Sequence, residues 1–215
     1  MNLACFRAKT PWRQSTWPRT QFLIRADRLL AGPARSRPAS AIFWSALEMI
    51  QRDGLLRLLA QQDVPFECEY HEQVLNMAES GALELSLGGA RCKNLLLQDK
   101  QGGLYLVVTT AHKSLDLSAI AKTLNSKRLS FASADRLFDL LGVRPGSLSP
   151  LALVNDHAHC VHLVIDNDLA HERVFLFHPL DSTATIALSR QSLEVFLQRI
   201  GRAPSWHALE ARQAA

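Results

Sequence analysis

The chain has 215 residues, of which 47% are hydrophobic and 20% charged, as expected for one globular domain or one domain with an appendage. No apolar run approaches the roughly 20 residues that a membrane-spanning helix needs, so we expect no membrane association. Four scattered cysteines without a Cys-x-x-Cys pair predict reduced thiols and a cytoplasmic protein instead of a disulfide framework.

The formal net charge of +4 conceals an asymmetry. Residues 1–46 carry eight Lys/Arg and one acid, whereas residues 47–215 carry 16 Lys/Arg and 19 Asp/Glu. The first segment is therefore predicted to be a basic extension: a disordered tail, an organelle transit peptide, or residues upstream of a true start at Met49. The domain is predicted over 47–203, followed by a tail at 204–215. Nucleic-acid binding by this domain would need a local basic patch.

Hydrophobic periodicity predicts the elements of the first half of the domain. Apolar residues at helical spacing predict a helix over 47–62, and alternation predicts a strand over 66–70. A short helical turn is predicted over 76–82. Two apolar segments, 91–98 and 104–110, flank a Gly-containing turn and predict a β-hairpin.

The second half alternates helices with strands. Helices are predicted over 116–125 and 133–142, the latter with Ser133 as its N-cap and Gly142 just past its end. Strands are predicted over 151–156, 159–166, 173–179 and 183–189, before a final helix over 190–200 that Ser189 caps and Gly201 stops. Antiparallel-looking strand runs interrupted by helices favour an α+β fold.

The sequence lacks the common motifs of serine hydrolases, P-loop proteins, zinc peptidases and dinucleotide-binding proteins. Its densest group of potential metal ligands is HAHCVH, with His157, His159 and His162. On a strand, side chains alternate, so the three imidazoles would converge on zinc only if the strand bent. A metal-dependent hydrolase is one alternative, and a run of solvated histidines is the other.

Lys93 is the polar residue whose position is hardest to explain. It precedes three leucines in GARCKNLLLQDK and shares a strand face with Leu95 and Leu97. A lysine entering a strand can extend its ammonium to the rim, but a half-buried ammonium usually needs a partner or a function. Lys93 is therefore a candidate functional residue.

Two later segments are also candidates. The loop 142–150 holds two glycines and two prolines, which favours either a plain connection or a rigid loop whose main chain presents itself to a ligand. His178 ends an apolar strand and is stopped by Pro179, either as a rim histidine or as a polar group at the mouth of a pocket.

Four segments in the same order resemble the YbaK/ProX-type aminoacyl-tRNA deacylases, which are free-standing relatives of the editing domain in bacterial prolyl-tRNA synthetase. The likeness extends over about residues 48–202, and its segments are 89–100, 128–156, 162–169 and 175–189. It is closest to the branch that hydrolyses alanyl-tRNA(Pro). The resemblance implies a mixed, largely antiparallel, barrel-like sheet flanked by helices.

The resemblance also implies site residues. Lys93 matches the essential lysine, Asn94 the asparagine after it, GSLSP the Gly-x-x-x-Pro loop and His178 the histidine before proline. The implied catalytic residues are Lys93, Gly146 and His178. The implied substrate-binding residues are Asn94, Leu96, Ser147, Leu148, Ser149, Pro150 and Asn155.

The implied function is hydrolysis of mischarged tRNA(Pro), foremost Ala-tRNA(Pro), without cofactor or metal. Its partners would be the acceptor end of tRNA(Pro) and prolyl-tRNA synthetase. Three departures, Cys92 for a common threonine, Leu96 for phenylalanine and the poorly kept pattern after His71, leave alternatives open. These are a deacylase for cysteine, serine or threonine, and a non-catalytic module that binds tRNA or the synthetase.

Overall fold

A computed structural model describes residues 49–74 and 81–213. The predicted basic extension lies outside the described residues, as does most of the helical turn predicted over 76–82. The first helix within these described residues, α1, is Arg52–Gln61, and it begins later than its apolar pattern predicts. A tertiary contact accounts for this later start: the main-chain N–H of Ile50 donates to the side chain of Asn155 at 2.8 Å, which holds Ile50 outside the helix.

Among the described residues from Phe66 onward, eight strands and three further complete α-helices follow. The strands are β1 Glu67–Tyr70, β2 Ala90–Asp99, β3 Leu104–Thr110, β4 Leu129–Phe131, β5 Val161–Asp166, β6 Val174–Phe177, β7 Ala184–Ser189 and β8 Ser205–His207. The helices are α2 Leu117–Thr123, α3 Ala134–Leu141 and α4 Arg190–Arg199. Within the described residues, no helix has the length and apolar character needed to cross a membrane.

The strands form one mixed sheet in the order β1-β7-β6-β2-β3-β5-β8, with β4 paired to β2. Four neighbouring pairs are antiparallel and three are parallel. The predicted α+β fold with a mixed, mainly antiparallel sheet flanked by helices is confirmed. The predicted hairpin is β2 and β3, in which Lys93 lies opposite Thr109 and Leu95 opposite Val107.

Both faces of the sheet are covered, which explains why β2 carries leucines on both of its faces. One face carries the main core, where Leu96 and Leu106 pack with buried side chains of α1, α3 and α4. On the other face, Leu97 and Val107 pack with Ile120 of α2. Burying both faces removes most strand side chains from water, the dominant favourable term in folding.

The predicted helix caps are confirmed. Ser133 Oγ accepts the N–H of Arg136 at 3.1 Å, and Gly142 ends α3 with a φ of +67°. At that positive φ a side chain would be strained, so glycine suits the position. Ser189 caps α4 by accepting the N–H of Ser192 at 3.0 Å.

Two sequence predictions are wrong in this half of the chain. Residues 151–156 do not form a strand: a 3-10 helix covers Pro150–Asn155, with Pro150 at its first turn, where its missing N–H costs nothing. The segment 204–215 is more than a tail, because β8 adds to the sheet edge beside β5.

The position where β2 leaves β6 creates the site. These strands pair in parallel only at Ala90↔Phe175 and Arg91↔Leu176. From Cys92 onward, β2 pairs with β3 instead. The two strands therefore separate just before Lys93 on β2 and His178 after β6.

Candidate active site

A cavity of about 230 Å³ lies where β2 and β6 separate. It brings together residues from six stretches of the chain between Val74 and Thr185. Its polar lining includes Lys93, Asn94 and His178, and the 142–150 loop contributes Gly146 and Leu148. The remaining lining residues are Val74, Leu85, Arg91, Cys92, Leu95, Leu176, Phe177 and Thr185. All three residues predicted as catalytic thus line one cavity.

Lys93 is half-buried and is held by a main-chain acceptor instead of a carboxylate. Its Nζ donates to the carbonyl oxygen of Lys113 at 2.7 Å. A neutral carbonyl orients an ammonium group without cancelling its charge. The positive charge of Lys93 therefore remains available to an anionic group in the cavity.

Asn94 presents an unusual acceptor. Its Oδ1 atom is buried and makes no hydrogen bond with the residues that the structure describes. A buried acceptor left unsatisfied costs about 1–3 kcal/mol. Because Asn94 lines the cavity, this oxygen is a natural acceptor for a donor group on a bound molecule.

The prediction that Leu96 forms the pocket wall is wrong. Leu96 is buried at 5% exposure in the main core and does not line the cavity. Leu95 lines it instead, on the same strand face as Lys93. Both faces of β2 reach the cavity between Arg91 and Leu95, and Leu96 lies one residue beyond that stretch, where its side chain packs into the main core.

The GSLSP loop divides into lining and supporting residues. Gly146 has a φ of +94°, a conformation that favours glycine, and it lines the cavity together with Leu148. Ser149 is fully buried, and its Oγ donates to the carbonyl oxygen of His178 at 2.8 Å. Ser147 and Pro150 are buried and do not line the cavity. Ser147, Ser149 and Pro150, predicted to bind substrate, thus lie outside the cavity lining, and Ser149 ties the loop to His178.

His178 has a defined hydrogen-bond role. Its Nδ1 lies 2.8 Å from the carbonyl oxygen of Ala184, so Nδ1 carries the proton and Nε2 is the acceptor in the neutral ring. Burial lowers the pKa of His178 below its ordinary value, as does neighbouring His71, although the Ala184 carbonyl opposes the change. The two rings meet edge to face with centroids 5.7 Å apart. His71 is fixed in turn through Nε2, which lies 2.9 Å from Thr185 Oγ1.

Asn155, predicted as a substrate-binding residue, does not line the cavity. It is 2% exposed. Its Oδ1 accepts from Ile50 N at 2.8 Å, and its Nδ2 donates to the carbonyl oxygens of Ile50 and Leu141 at 3.0 and 2.9 Å. Asn155 instead joins the start of α1 to the end of α3. Neighbouring Asp156 is likewise structural, since its carboxylate pairs with Arg202 at 2.8 Å.

Two features of the site were missed from the sequence. Arg91 lines the cavity on the strand face of Lys93, and its guanidinium donates to the carbonyl oxygen of Leu83 at 2.5 Å. The two-residue spacing from Lys93 was the signal for it. A second feature lies beside the loop, where the guanidinium of exposed Arg144 stacks 5.2 Å above the ring of Phe138, which is 47% exposed.

Cys92, which departs from the resembled pattern, is a buried thiol at 8% exposure. Burial, together with the smaller effect of the charge of Glu172, raises its pKa to about 12. The thiol is therefore protonated at neutral pH and is a poor nucleophile. Its position favours packing over covalent chemistry.

The histidine run does not form a metal site. Among residues 49–74 and 81–213, no group of three or more His, Cys, Asp or Glu side chains is placed to hold a metal ion. His157 and His159 precede β5, whereas His162 lies within it beside the ring of Tyr105 at 5.6 Å. The alternative of a metal-dependent hydrolase that uses these histidines therefore lacks its ligand set.

Comparisons with known proteins agree with this architecture. A family model described as "Aminoacyl-tRNA editing domain" matches residues 71–196. "Prolyl-tRNA editing protein ProX" of Acetoanaerobium sticklandii is 30% identical over 156 residues, which cover 72% of this chain and 95% of the relative. "Prolyl-tRNA synthetase associated domain-containing protein 1" of Xenopus laevis is 35% identical over 159 residues, covering 71% and 94%. The fold is similar to that of the hypothetical protein APE2540, with a TM-score of 0.57 at 20% identity over 73% of this chain and 99% of the other.

Proposed function

The chain belongs to the aminoacyl-tRNA editing domain family, and on this premise we propose that it is a trans-editing deacylase for mischarged tRNA(Pro), with Ala-tRNA(Pro) as its main substrate. The observation that carries the proposal is the convergence of Lys93, Gly146 and His178 on one cavity. The relatives' names support the tRNA class, and the leucines of the cavity lining support an apolar amino acid.

The bond to be broken is the ester between an amino acid and the terminal ribose of the tRNA. Water attacks the carbonyl carbon, negative charge develops on the carbonyl oxygen, and the ribose oxygen leaves with a proton. Such esters are activated, so positioning of water and stabilisation of the oxyanion suffice without a protein nucleophile. The buried, protonated Cys92 is consistent with this route.

Lys93 is proposed to stabilise the developing oxyanion or an adjacent phosphate of the tRNA. Its ammonium is already oriented by a carbonyl oxygen at 2.7 Å and keeps its full positive charge. A preoriented charge needs little reorganisation during the reaction, and removal of one such group typically costs about 10²–10³ in rate. Arg91 lies on the same wall and adds positive potential.

Asn94 and His178 are proposed to position the substrate. The unsatisfied Oδ1 of Asn94 accepts a hydrogen bond from the α-ammonium of the amino acid. Neutral His178 offers Nε2 to a ribose hydroxyl or to the attacking water, since its Nδ1 is engaged by Ala184. The main chain at Gly146 is proposed to approach the substrate closely, because glycine has no Cβ to stand between them.

Selectivity is proposed to depend on the cavity and on its apolar wall. The cavity volume of about 230 Å³ lies below the roughly 300–1,000 Å³ of pockets for drug-sized ligands. A synthetase pocket built for proline cannot strongly reject alanine, because each missing methylene costs only about 1–3 kcal/mol. A second, smaller pocket that admits alanine and excludes proline corrects this error. Leu95, Leu148 and Leu176 are the proposed wall.

The tRNA is proposed to approach over the loop that carries Arg144. This residue is exposed, stacks on Phe138 and lies two positions before Gly146 of the cavity lining. A guanidinium on an aromatic ring provides both a phosphate contact and a stacking surface for an unpaired base. Prolyl-tRNA synthetase, which supplies the mischarged tRNA, is the proposed protein partner.

A deacylation panel tests the proposal. The protein is incubated with tRNA(Pro) charged with alanine, serine, cysteine, threonine or proline, and the remaining aminoacyl-tRNA is measured. We expect fast loss of alanine and no loss of proline. Preference for another small amino acid would revise the specificity, and tRNA binding without any hydrolysis would support the non-catalytic alternative.

A further inference from the structure

A network of charged residues is connected to the ammonium of Lys93 through Lys113. Lys113, in the loop after β3, supplies the carbonyl oxygen that holds Lys93. The side chain of the same Lys113 forms ion pairs with Asp166 at 2.8 Å and Asp168 at 2.7 Å. One residue thus contacts Lys93 through its main chain and the end of β5 through its side chain.

The Asp166 end of this network is deeply anchored. Its carboxylate is fully buried and also accepts the hydroxyl of Thr109 at 2.5 Å. Thr109 is itself fully buried and is the direct strand partner of Lys93 on β3. The network therefore joins the strand opposite Lys93, the end of β5 and the loop that carries the Lys113 carbonyl.

The ionisation states support a persistent pair. Burial opposes the charged form of Asp166, but Lys113 and the Thr109 hydroxyl outweigh it, so the pKa of Asp166 is lowered. Burial also opposes the charged form of Lys113, but both carboxylates outweigh it and raise its pKa. The side chain of Asp168 is 55% exposed, so its pair with Lys113 is screened and contributes less.

We propose that the Lys113–Asp166 ion pair is a positioning device, which fixes the loop so that the Lys113 carbonyl orients the Lys93 ammonium toward the cavity. Its catalytic consequence rests on the deacylase function proposed above, whereas its structural part does not. Lys113 and Asp166 are positioning residues that act through Lys93. Loss of the pair releases the carbonyl and lets the Lys93 ammonium swing away from its productive direction.

Competitive amine labelling tests the structural part without any tRNA. The intact protein is treated with limiting acetic anhydride, and peptide mass spectrometry compares acetylation of Lys93 with that of exposed Lys122. In Lys113→Met, Lys93 loses its anchored position and its labelling relative to Lys122 should rise about threefold or more. Lys113→Arg keeps both ion pairs and should leave the ratio unchanged.

The catalytic part is tested by single-turnover deacylation with enzyme in excess. Lys113→Met should lower the rate constant at saturation about tenfold, with the half-saturating enzyme concentration changed by less than about twofold. Lys113→Arg should recover most of the rate. Asp168→Asn is the matched control, because it removes only the screened pair, and it should retain the rate within about threefold.

A second variant serves as the control for loss of folding. Lys113→Met leaves Asp166 buried without its cation, whereas Lys113→Met/Asp166→Asn removes both charges and avoids an unpaired buried carboxylate. This double variant should show the same rise in Lys93 labelling. Unchanged labelling in both variants overturns the proposal, as does a lost rate with unchanged labelling. Increased labelling with an unchanged rate overturns its catalytic part. A wild-type protein that hydrolyses no aminoacyl-tRNA refutes the proposed function, and labelling then decides the structural part alone.

Discussion

Asn155 provides the sharpest distinction between a scaffold residue and a substrate-binding residue. Its side chain makes three hydrogen bonds to the main chain of Ile50 and Leu141, at 2.8, 3.0 and 2.9 Å. Replacement with alanine removes all three and leaves one N–H and two carbonyl groups short of a partner. We therefore expect Asn155→Ala to reduce stability and to leave the chemistry of the cavity intact.

The magnitude follows from these contacts. Each hydrogen bond of this kind contributes about 0.5–1.5 kcal/mol net, and the Leu141 carbonyl is buried, so the free energy of unfolding should fall by about 2–4 kcal/mol. With a urea slope of about 2 kcal/mol per molar, the unfolding midpoint should fall by about 1–2 M. The slope itself should not change, because the surface exposed on unfolding is the same.

Urea unfolding followed by tryptophan fluorescence measures the change, and deacylation at a temperature well below unfolding measures KM. Asn167→Ala is the control, since Asn167 is exposed and should shift the midpoint little. Unaltered stability of Asn155→Ala together with a strongly raised KM would contradict the scaffold role and show that Asn155 binds substrate.

Three further predictions concern the cavity and its rim. Iodoacetamide at pH 8 should modify exposed Cys160 and spare Cys92, because the buried thiol of Cys92 has a pKa raised to about 12. Peptide mass spectrometry measures the modification of each cysteine. Rapid modification of Cys92 in the folded protein would contradict its burial. His178 should titrate below its ordinary pKa of 6.5 in NMR spectra. The stability that its neutral form contributes is therefore complete above pH 6.5 and declines as the pH falls toward the lowered pKa. A titration midpoint above 6.5 would exclude this lowered pKa. Arg144→Ala should raise the KM about three- to tenfold and weaken the dependence of KM on salt, whereas Arg199→Ala on α4 should do neither. Equal effects of the two substitutions would show that Arg144 is not part of the tRNA-binding surface.

Much of the fold could be predicted because its signals are local. The cap at Ser133 and the left-handed Gly142 are adjacent to the helix that they bound, and the β2–β3 hairpin joins neighbouring segments. The 3-10 helix at Pro150–Asn155 was misread because its apolar run is too short to separate strand from helix by periodicity. The edge strand β8 was missed because its partner β5 lies about 40 residues earlier in the chain.

The site was predicted less evenly. Lys93 and His178 could be identified because a strand interior rarely holds an ammonium and a strand end rarely needs an imidazole. Asn155 misled, because the partners that consume its amide are 105 and 14 residues away. The carbonyl oxygen of Lys113 could not be predicted at all, since every residue has one and only the fold selects which one meets Lys93.

We propose that the oriented charge of Lys93 drives hydrolysis of an ester in this cavity. The most direct measurement is single-turnover deacylation of Ala-tRNA(Pro) by wild type, Lys93→Met and the exposed-lysine control Lys122→Met. We predict that Lys93→Met lowers the rate constant about 10²–10³-fold while Lys122→Met retains it. A folded Lys93→Met protein that deacylates Ala-tRNA(Pro) at the wild-type rate would contradict the mechanism.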